Sequence, residues 1–148
     1  MRLRGLGFIM VILATFVLVD GCSAKYKVVK TSYSKVPDWF DKAIEGRHFD
    51  KAKYRGQEGV FIYPIAIYED TKVSIDVARA EVSINTVEIL TKSKSKYKSQ
   101  LKDISLTGIV PLEEFSGIVM IDGKEYFVLA QKRFVFKHTL ESIEEQLR

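Results

Sequence analysis

Residues 115–136 read FSGIVMIDGKEYFVLAQKRFVF, with Asp122-Gly123 between two apolar runs. Asp-Gly favours the two-residue type I′ turn of a β-hairpin, because both turn positions need positive φ. A loop of this length pairs Ile121 with Lys124. The further pairs on the same face are Val119 with Tyr126, Gly117 with Val128 and Phe115 with Ala130. Neither face of this hairpin is polar, so the sequence predicts an antiparallel hairpin with two apolar faces, each of which needs a covering partner.

A second strand is predicted upstream, at residues 59–68 (GVFIYPIAIY), the most apolar stretch after residue 22. Branched and aromatic residues dominate it, as in strands that are buried on both faces. Pro64 has no backbone N–H to give to a β-ladder, so the strand lies at an edge or bulges there. The charged and irregular residues 48–58 before it are predicted to form a loop.

Two helices are predicted around the hairpin. Apolar and polar residues alternate in part of 73–90 in a way that also suits a strand. However, no Gly or Pro interrupts residues 71–101, and this stretch is too long for one strand. A helix to about Lys94 is therefore predicted, with apolar stripes on two opposite sides. Thr139 is placed to cap a short C-terminal helix whose stripe is formed by Leu140, Ile143 and Leu147. Ser142 and Glu145, in capping-box spacing, offer a second possible start.

The N-terminus has the pattern of an export signal. Arg2 and Arg4 precede the apolar run Leu6–Val19, and Asp20-Gly21-Cys22 follows it. This order of charged, apolar and small residues is typical of a secretory signal. The alternative is an uncleaved transmembrane anchor, although the fourteen residues of the run fall below the roughly 20 that span a bilayer. A cysteine directly after the small residue resembles the lipobox of bacterial lipoproteins, which implies cleavage before Cys22 and its acylation.

These signals divide the chain into three parts: a signal peptide at residues 1–21, a flexible tether at 22–35 and one α+β domain at 36–148. Pro37 and Trp39 mark the entry to the domain, and Pro37 suits the first turn of a short helix. Trp39 is predicted to close the core, with a binding role as the alternative.

Composition limits the chemistry of the exported part. Cys22 is the single cysteine, so an internal disulfide is excluded. One cysteine and two separated histidines, His48 and His138, also argue against a metal site built from thiolates or imidazoles. No cofactor is predicted. The net charge of +4 is typical of a soluble surface, and an envelope location makes nucleic acid the poorest candidate for a partner.

One charged run allows two interpretations. Lysines alternate with Ser and Tyr after the long helix, at Lys92, Lys94, Lys96, Lys98 and Lys102. Such runs are usually solvated, and lysines at a helix C-terminus complement its dipole. The alternative is an anion-binding patch for a phosphate-bearing lipid or glycan.

The order of these elements resembles the LPP-twenty family, small and mostly outer-membrane lipoproteins of Gram-negative bacteria. The residues that carry the resemblance are Pro37-Asp38-Trp39, Gly59–Tyr68, Ala78-Arg79-Ala80-Glu81, Asp122-Gly123 and Tyr126–Ala130. It implies a long helix packed on a small three-stranded antiparallel sheet in the order β-α-β-β-α, a dodecin-like fold. It implies no catalytic residue, and some members of the family help to build flagellar basal structures.

The sequence thus favours a lipid-anchored, non-enzymatic structural or assembly protein of the Gram-negative envelope, with envelope or flagellar proteins as partners. The alternative is an envelope binding module for lipopolysaccharide or peptidoglycan. A hydrolase is disfavoured, since no Ser, His and Asp set stands at a nucleophile turn. Because one helix layer covers one face of a sheet, the apolar surplus also predicts a homo-oligomer.

Overall fold

The computed structural model describes residues 25–91 and 107–146, which form a six-stranded antiparallel sheet and three helices. In chain order these are β1 (Tyr26–Lys30), α1 (Phe40–Glu45), β2 (Asp50–Tyr54), β3 (Gln57–Ile62), β4 (Ile65–Tyr68), α2 (Ile75–Leu90), β5 (Ile109–Ile121), β6 (Lys124–Phe136) and α3 (Lys137–Gln146). Within these ranges no helix is long and apolar enough to cross a bilayer.

The central hairpin confirms the prediction from Asp122-Gly123. Both turn residues have positive φ, 51° at Asp122 and 83° at Gly123, as a type I′ turn requires. The register from Ile121↔Lys124 to Phe115↔Ala130 is the predicted one. The hairpin runs further than predicted, because β5 begins at Ile109 and passes a register shift between Pro111 and Glu113.

The prediction of a three-stranded sheet in the order β-α-β-β-α is wrong. The strand order is β1-β5-β6-β3-β2, and β4 also pairs with β6. The predicted tether at residues 22–35 contains an edge strand of the sheet, Tyr26–Lys30; residues 22–24 lie outside the described part. The predicted loop at 48–58 likewise contains the opposite edge strand, Asp50–Tyr54. Both edge strands are short and rich in lysine. Lysines at a sheet edge discourage pairing with another chain, and they also make the apolar alternation of a strand difficult to recognise in the sequence.

The predicted strand at 59–68 is present but broken in the middle. β3 pairs with the C-terminal half of β6, and β4 pairs with its N-terminal half. Between them the Gln131 N–H donates to the carbonyl of Pro64, at 3.0 Å. The ladder is interrupted at Tyr63-Pro64, where proline lacks a donor.

Both faces of the sheet are covered by helices of the same chain. On one face Trp39 and α1, with Phe40 and Ala43 buried, pack on Phe115 and Val128. On the other face lie α2 and α3. The expectation that one helix layer leaves a face of the hairpin open is therefore wrong, because the short α1 forms a second layer.

Helix α2 buries one side only. Ser74 caps it by accepting a hydrogen bond from the Val77 N–H at 3.2 Å. The buried row is spaced by four residues and consists of Ala78, Val82, Thr86 and Leu90. The other predicted stripe faces outward, where Val77 and Ile84 are 55% and 54% exposed. The predicted end at Lys94 lies outside the described residues.

Helix α3 begins two residues before the predicted cap. Thr139 is buried inside the helix, and its hydroxyl donates to the Thr107 carbonyl at 3.3 Å. Leu140 and Ile143 pack against Ile62, Leu90 and Val135, as their spacing predicted. Leu147, the third residue of the predicted stripe, lies outside the described residues.

Candidate binding cleft

An open cleft of about 650 Å³ lies beside α1 on the sheet face that this helix covers. Its lining comes from the β1–α1 connection, from α1, β2 and β3, from Tyr63 after β3, and from β5 and β6 around Glu113 and Lys132. The lining residues are Tyr33, Ser34, Lys35, Pro37, Asp38, Trp39, Lys42, Asp50, Lys51, Phe61, Tyr63, Glu113, Glu114 and Lys132.

Aromatic rings form the inner wall of the cleft. Trp39 and Tyr63 are nearly parallel, with ring centroids 6.1 Å apart and an interplanar angle of 16°. The Lys132 ammonium lies 4.3 Å from the ring centroid of Phe61, within the range of a cation–π contact. Trp39 is only 6% exposed and belongs to the core, as predicted, while its indole N–H donates to Glu113 at 3.1 Å. The wall is therefore built from side chains that pack against one another.

A shared carboxylate links α1 to the sheet at the base of the cleft. The Tyr63 hydroxyl donates to Asp50 Oδ2 at 2.8 Å, and the Lys42 ammonium donates to the same oxygen. The hydrogen bonds from Lys42 and then Tyr63 hold the pKa of Asp50 below its usual value. Burial, and then the bond to Asp50, raises the pKa of Tyr63. At neutral pH the site therefore contains an ionised Asp50 and a neutral Tyr63.

A second carboxylate joins α2 to the sheet beside the cleft. Arg79 donates to both oxygens of Glu114, at 3.0 and 2.8 Å, in the bidentate geometry that suits a guanidinium. Gln131 donates to Glu114 Oε1 at 2.9 Å, and the Tyr33 hydroxyl donates to Oε2 at 3.3 Å. The Arg79 hydrogen bond is the main reason that the pKa of Glu114 is lowered. This pair connects α2 to Glu114, which lines the cleft.

His48 supports the wall from behind. Its Nδ1 accepts the Tyr63 N–H at 3.0 Å, so this nitrogen carries no proton. Burial lowers the pKa of His48, and the nearby Asp50 opposes that effect. The ring also stacks on Tyr63 at 6.4 Å. His48 therefore acts as a neutral packing group and acceptor in this fold.

The charges of the cleft are balanced. Four lysines line it, Lys35, Lys42, Lys51 and Lys132, together with four acids, Asp38, Asp50, Glu113 and Glu114. An excess of positive charge favours the binding of a polyanion, and the lining of this cleft has no such excess. The cleft combines an aromatic wall with acidic side chains that accept hydrogen bonds and lysines that donate them. This combination suits a ligand that has apolar faces and carries hydroxyl, carboxylate and amine groups.

The site residues predicted from sequence do not belong to the described part of the chain. Cys22 and the lysine run from Lys92 to Lys102 are outside the described residues. No group of three or more metal-ligating side chains occurs within 25–91 and 107–146. Trp39 is the one cleft residue to which the sequence assigned a binding role, as an alternative. The rest of the lining was missed, because it comes from segments that are up to a hundred residues apart and share no motif.

Comparison of the chain with protein-family models, with curated proteins and with solved structures finds no significant match. The resemblance to the LPP-twenty family stays a prediction.

Proposed function

We propose that the chain is a lipid-anchored, non-enzymatic structural or assembly protein of the Gram-negative cell envelope, attached to the outer membrane. The observation that carries this proposal is the order of Arg2 and Arg4, the apolar run and Gly21-Cys22. The resemblance to the LPP-twenty family adds flagellar basal structures as a place of action.

The cleft supports a non-enzymatic role through the state of its polar groups. Asp50 and Glu114 each accept two or more hydrogen bonds from their neighbours, and both are held ionised. A general acid or base needs a pKa near the working pH, whereas these pKa values are lowered away from it. Such groups are suited to holding shape and to recognition.

Replacement of the acylation site tests the anchor. Cys22→Ser should give a larger, unprocessed protein that no longer incorporates a fatty-acid probe and no longer sediments with outer membranes. The matched control is Cys22→Ser combined with Ser34→Cys, which restores a cysteine at an exposed position and should not restore labelling. Equal size and labelling in wild type and Cys22→Ser would refute the proposal.

The residue after the cysteine tests the destination. In enteric-type sorting, Ser at the position of Ser23 sends a lipoprotein to the outer membrane and Asp retains it in the inner membrane. Ser23→Asp should therefore move the acylated protein to the inner-membrane fraction without loss of labelling. Ser23→Ala is the control and should fractionate as the wild type does. A Ser23→Asp variant that stays in the outer membrane would contradict this sorting rule for the chain.

A second candidate function is an envelope binding module for lipopolysaccharide or peptidoglycan, and the cleft is the observation that favours it. Its balanced charges and aromatic wall fit peptidoglycan, whose glycan and peptide parts carry hydroxyls, carboxylates and amines. The Lys92–Lys102 run is the proposed site for the anionic lipopolysaccharide. Co-sedimentation with purified sacculi should weaken in Lys132→Ala and persist when the five lysines of the run are replaced. The opposite pattern would assign binding to the run.

We also propose that the domain self-associates. The exposed Val77 and Ile84 on α2 supply the apolar surface, and lipid anchoring would raise the local concentration of the chains. The sheet faces do not support self-association, because helices of the same chain cover both of them.

A further inference from the structure

One end of the sheet lies next to the point where the chain leaves toward Cys22. Tyr26, the first residue of β1, pairs with Ile121, which directly precedes the β5–β6 turn. Lys124, directly after the turn, contacts Glu69 in the connection that follows β4. We call this the turn end, formed by Asp122, Gly123, Lys124 and Glu69.

The chain between the anchor and the sheet is short. Four peptide steps separate Cys22 from Tyr26, and even a fully extended chain covers about 14 Å over that length. Strand β6, with 13 residues, is about 40 Å long at roughly 3.3 Å per residue. The opposite end carries the β2–β3 turn, because Gly59 pairs with Phe136 at the far end of β6. The link to Cys22 is thus about one third of the length of the sheet.

We propose that the turn end faces the lipid surface and that the sheet stands out from it, with the β2–β3 turn farthest from the bilayer. This inference rests on the proposed acylation of Cys22. The occupant of the surface is the bilayer that holds the anchor, since the short link keeps the start of β1 within about 14 Å of Cys22. Lys124 pairs with Glu69, and Asp122 adds no positive charge, so the turn end has no cationic excess that would attract a lipid surface and the anchor sets this orientation.

The orientation places the binding cleft away from the headgroups. Glu113 pairs with Lys132 eight residues along the hairpin from the Ile121↔Lys124 pair. Eight steps correspond to about 26 Å. A ligand of the cleft is then a component that lies up to about 26 Å beyond the membrane surface, not the phosphate of a neighbouring lipid.

Energy transfer from single cysteines to the membrane tests the orientation in the full-length acylated protein. Cys22 is the only native cysteine. When it is acylated, a cysteine introduced elsewhere is the only free thiol and takes a donor dye. Exposed positions for it are Glu125→Cys and Thr71→Cys at the turn end, Gln57→Cys at the opposite end and Ile84→Cys on α2. Each variant is reconstituted in phosphatidylethanolamine–phosphatidylglycerol vesicles that contain a headgroup-labelled acceptor lipid.

The expected transfer is strong from the two turn-end positions, intermediate from Ile84→Cys and weakest from Gln57→Cys, which lies about 40 Å from Glu125 along the sheet. Equal transfer from the turn-end positions and Gln57→Cys, in protein that floats with the vesicles, would overturn the orientation and leave the anchor intact. Transfer strongest from Ile84→Cys would show that the domain lies on α2, and would also overturn it. Failure to float would overturn the anchor itself.

Discussion

Valine at position 123 should destabilise the domain through the backbone alone. Gly123 has φ 83°, and a Cβ built on it meets no other atom within 4 Å. The cost is therefore the strain of a β-branched residue in the left-handed region, about 1–3 kcal/mol, without a steric clash. Valine also makes the unfolded chain less flexible than glycine does, and this effect offsets about 0.5 kcal/mol of the strain. We expect a net loss of about 1.5 kcal/mol, or roughly 6 °C in Tm for a domain of this size.

The assay is thermal unfolding of a soluble chain without residues 1–22, followed by circular dichroism. Gly123→Asn is the matched control, because asparagine enters the left-handed region at little cost. It should lose less than about 1 kcal/mol, well below the loss with valine. Indistinguishable melting of wild type, Gly123→Asn and Gly123→Val would refute the assignment of a type I′ turn.

Three further predictions follow from particular contacts. Gly117→Ala should speed amide exchange in β1 but not in β2, because its Cβ would lie 2.5 Å from the Lys30 carbonyl oxygen; unchanged exchange in β1 would contradict this close approach. Burial lowers the pKa of His48 from 6.5, so the unfolded chain binds the proton more readily and stability should fall as pH drops below about 6.5. The free energy of unfolding can be measured by chemical denaturation at pH 7.5 and at pH 5.5. The difference between the two values should be smaller in His48→Gln than in the wild type, and an equal difference would exclude His48 as the cause. Ile84→Lys should shift sedimentation toward the monomer. Gln57→Lys, which adds the same charge at an exposed position away from α2, is the control, and no shift in Ile84→Lys would exclude this face of α2.

The central hairpin could be predicted from sequence because its determinants are local. The turn chemistry of Asp122-Gly123 fixes the loop length, and the loop length fixes the register of every pair up to Phe115↔Ala130. The existence of α2 and α3 also follows from local pattern and length. These elements carry their own signals, so the α+β class was predictable.

The two edge strands could not be predicted, because what makes them strands lies elsewhere in the chain. YKVVK in β1 and DKAKY in β2 each contain two lysines in five residues, and each is stabilised by pairing, β1 with β5 and β2 with β3. Their lysines suit a sheet edge, yet the same composition in isolation is typical of a tether or loop. The number of strands therefore depended on tertiary pairing.

The sequence by itself determined the central hairpin and the alternation that defines its two faces. It also predicts the export signal with Cys22. Only the tertiary structure decided that α1 covers one face and α2 the other, and that Lys42, Asp50 and Tyr63 meet beside Trp39. The physical reason is the range of the forces involved. Turn geometry and side-chain periodicity act over a few residues, whereas the cleft exists because burial of the hairpin brings distant segments together.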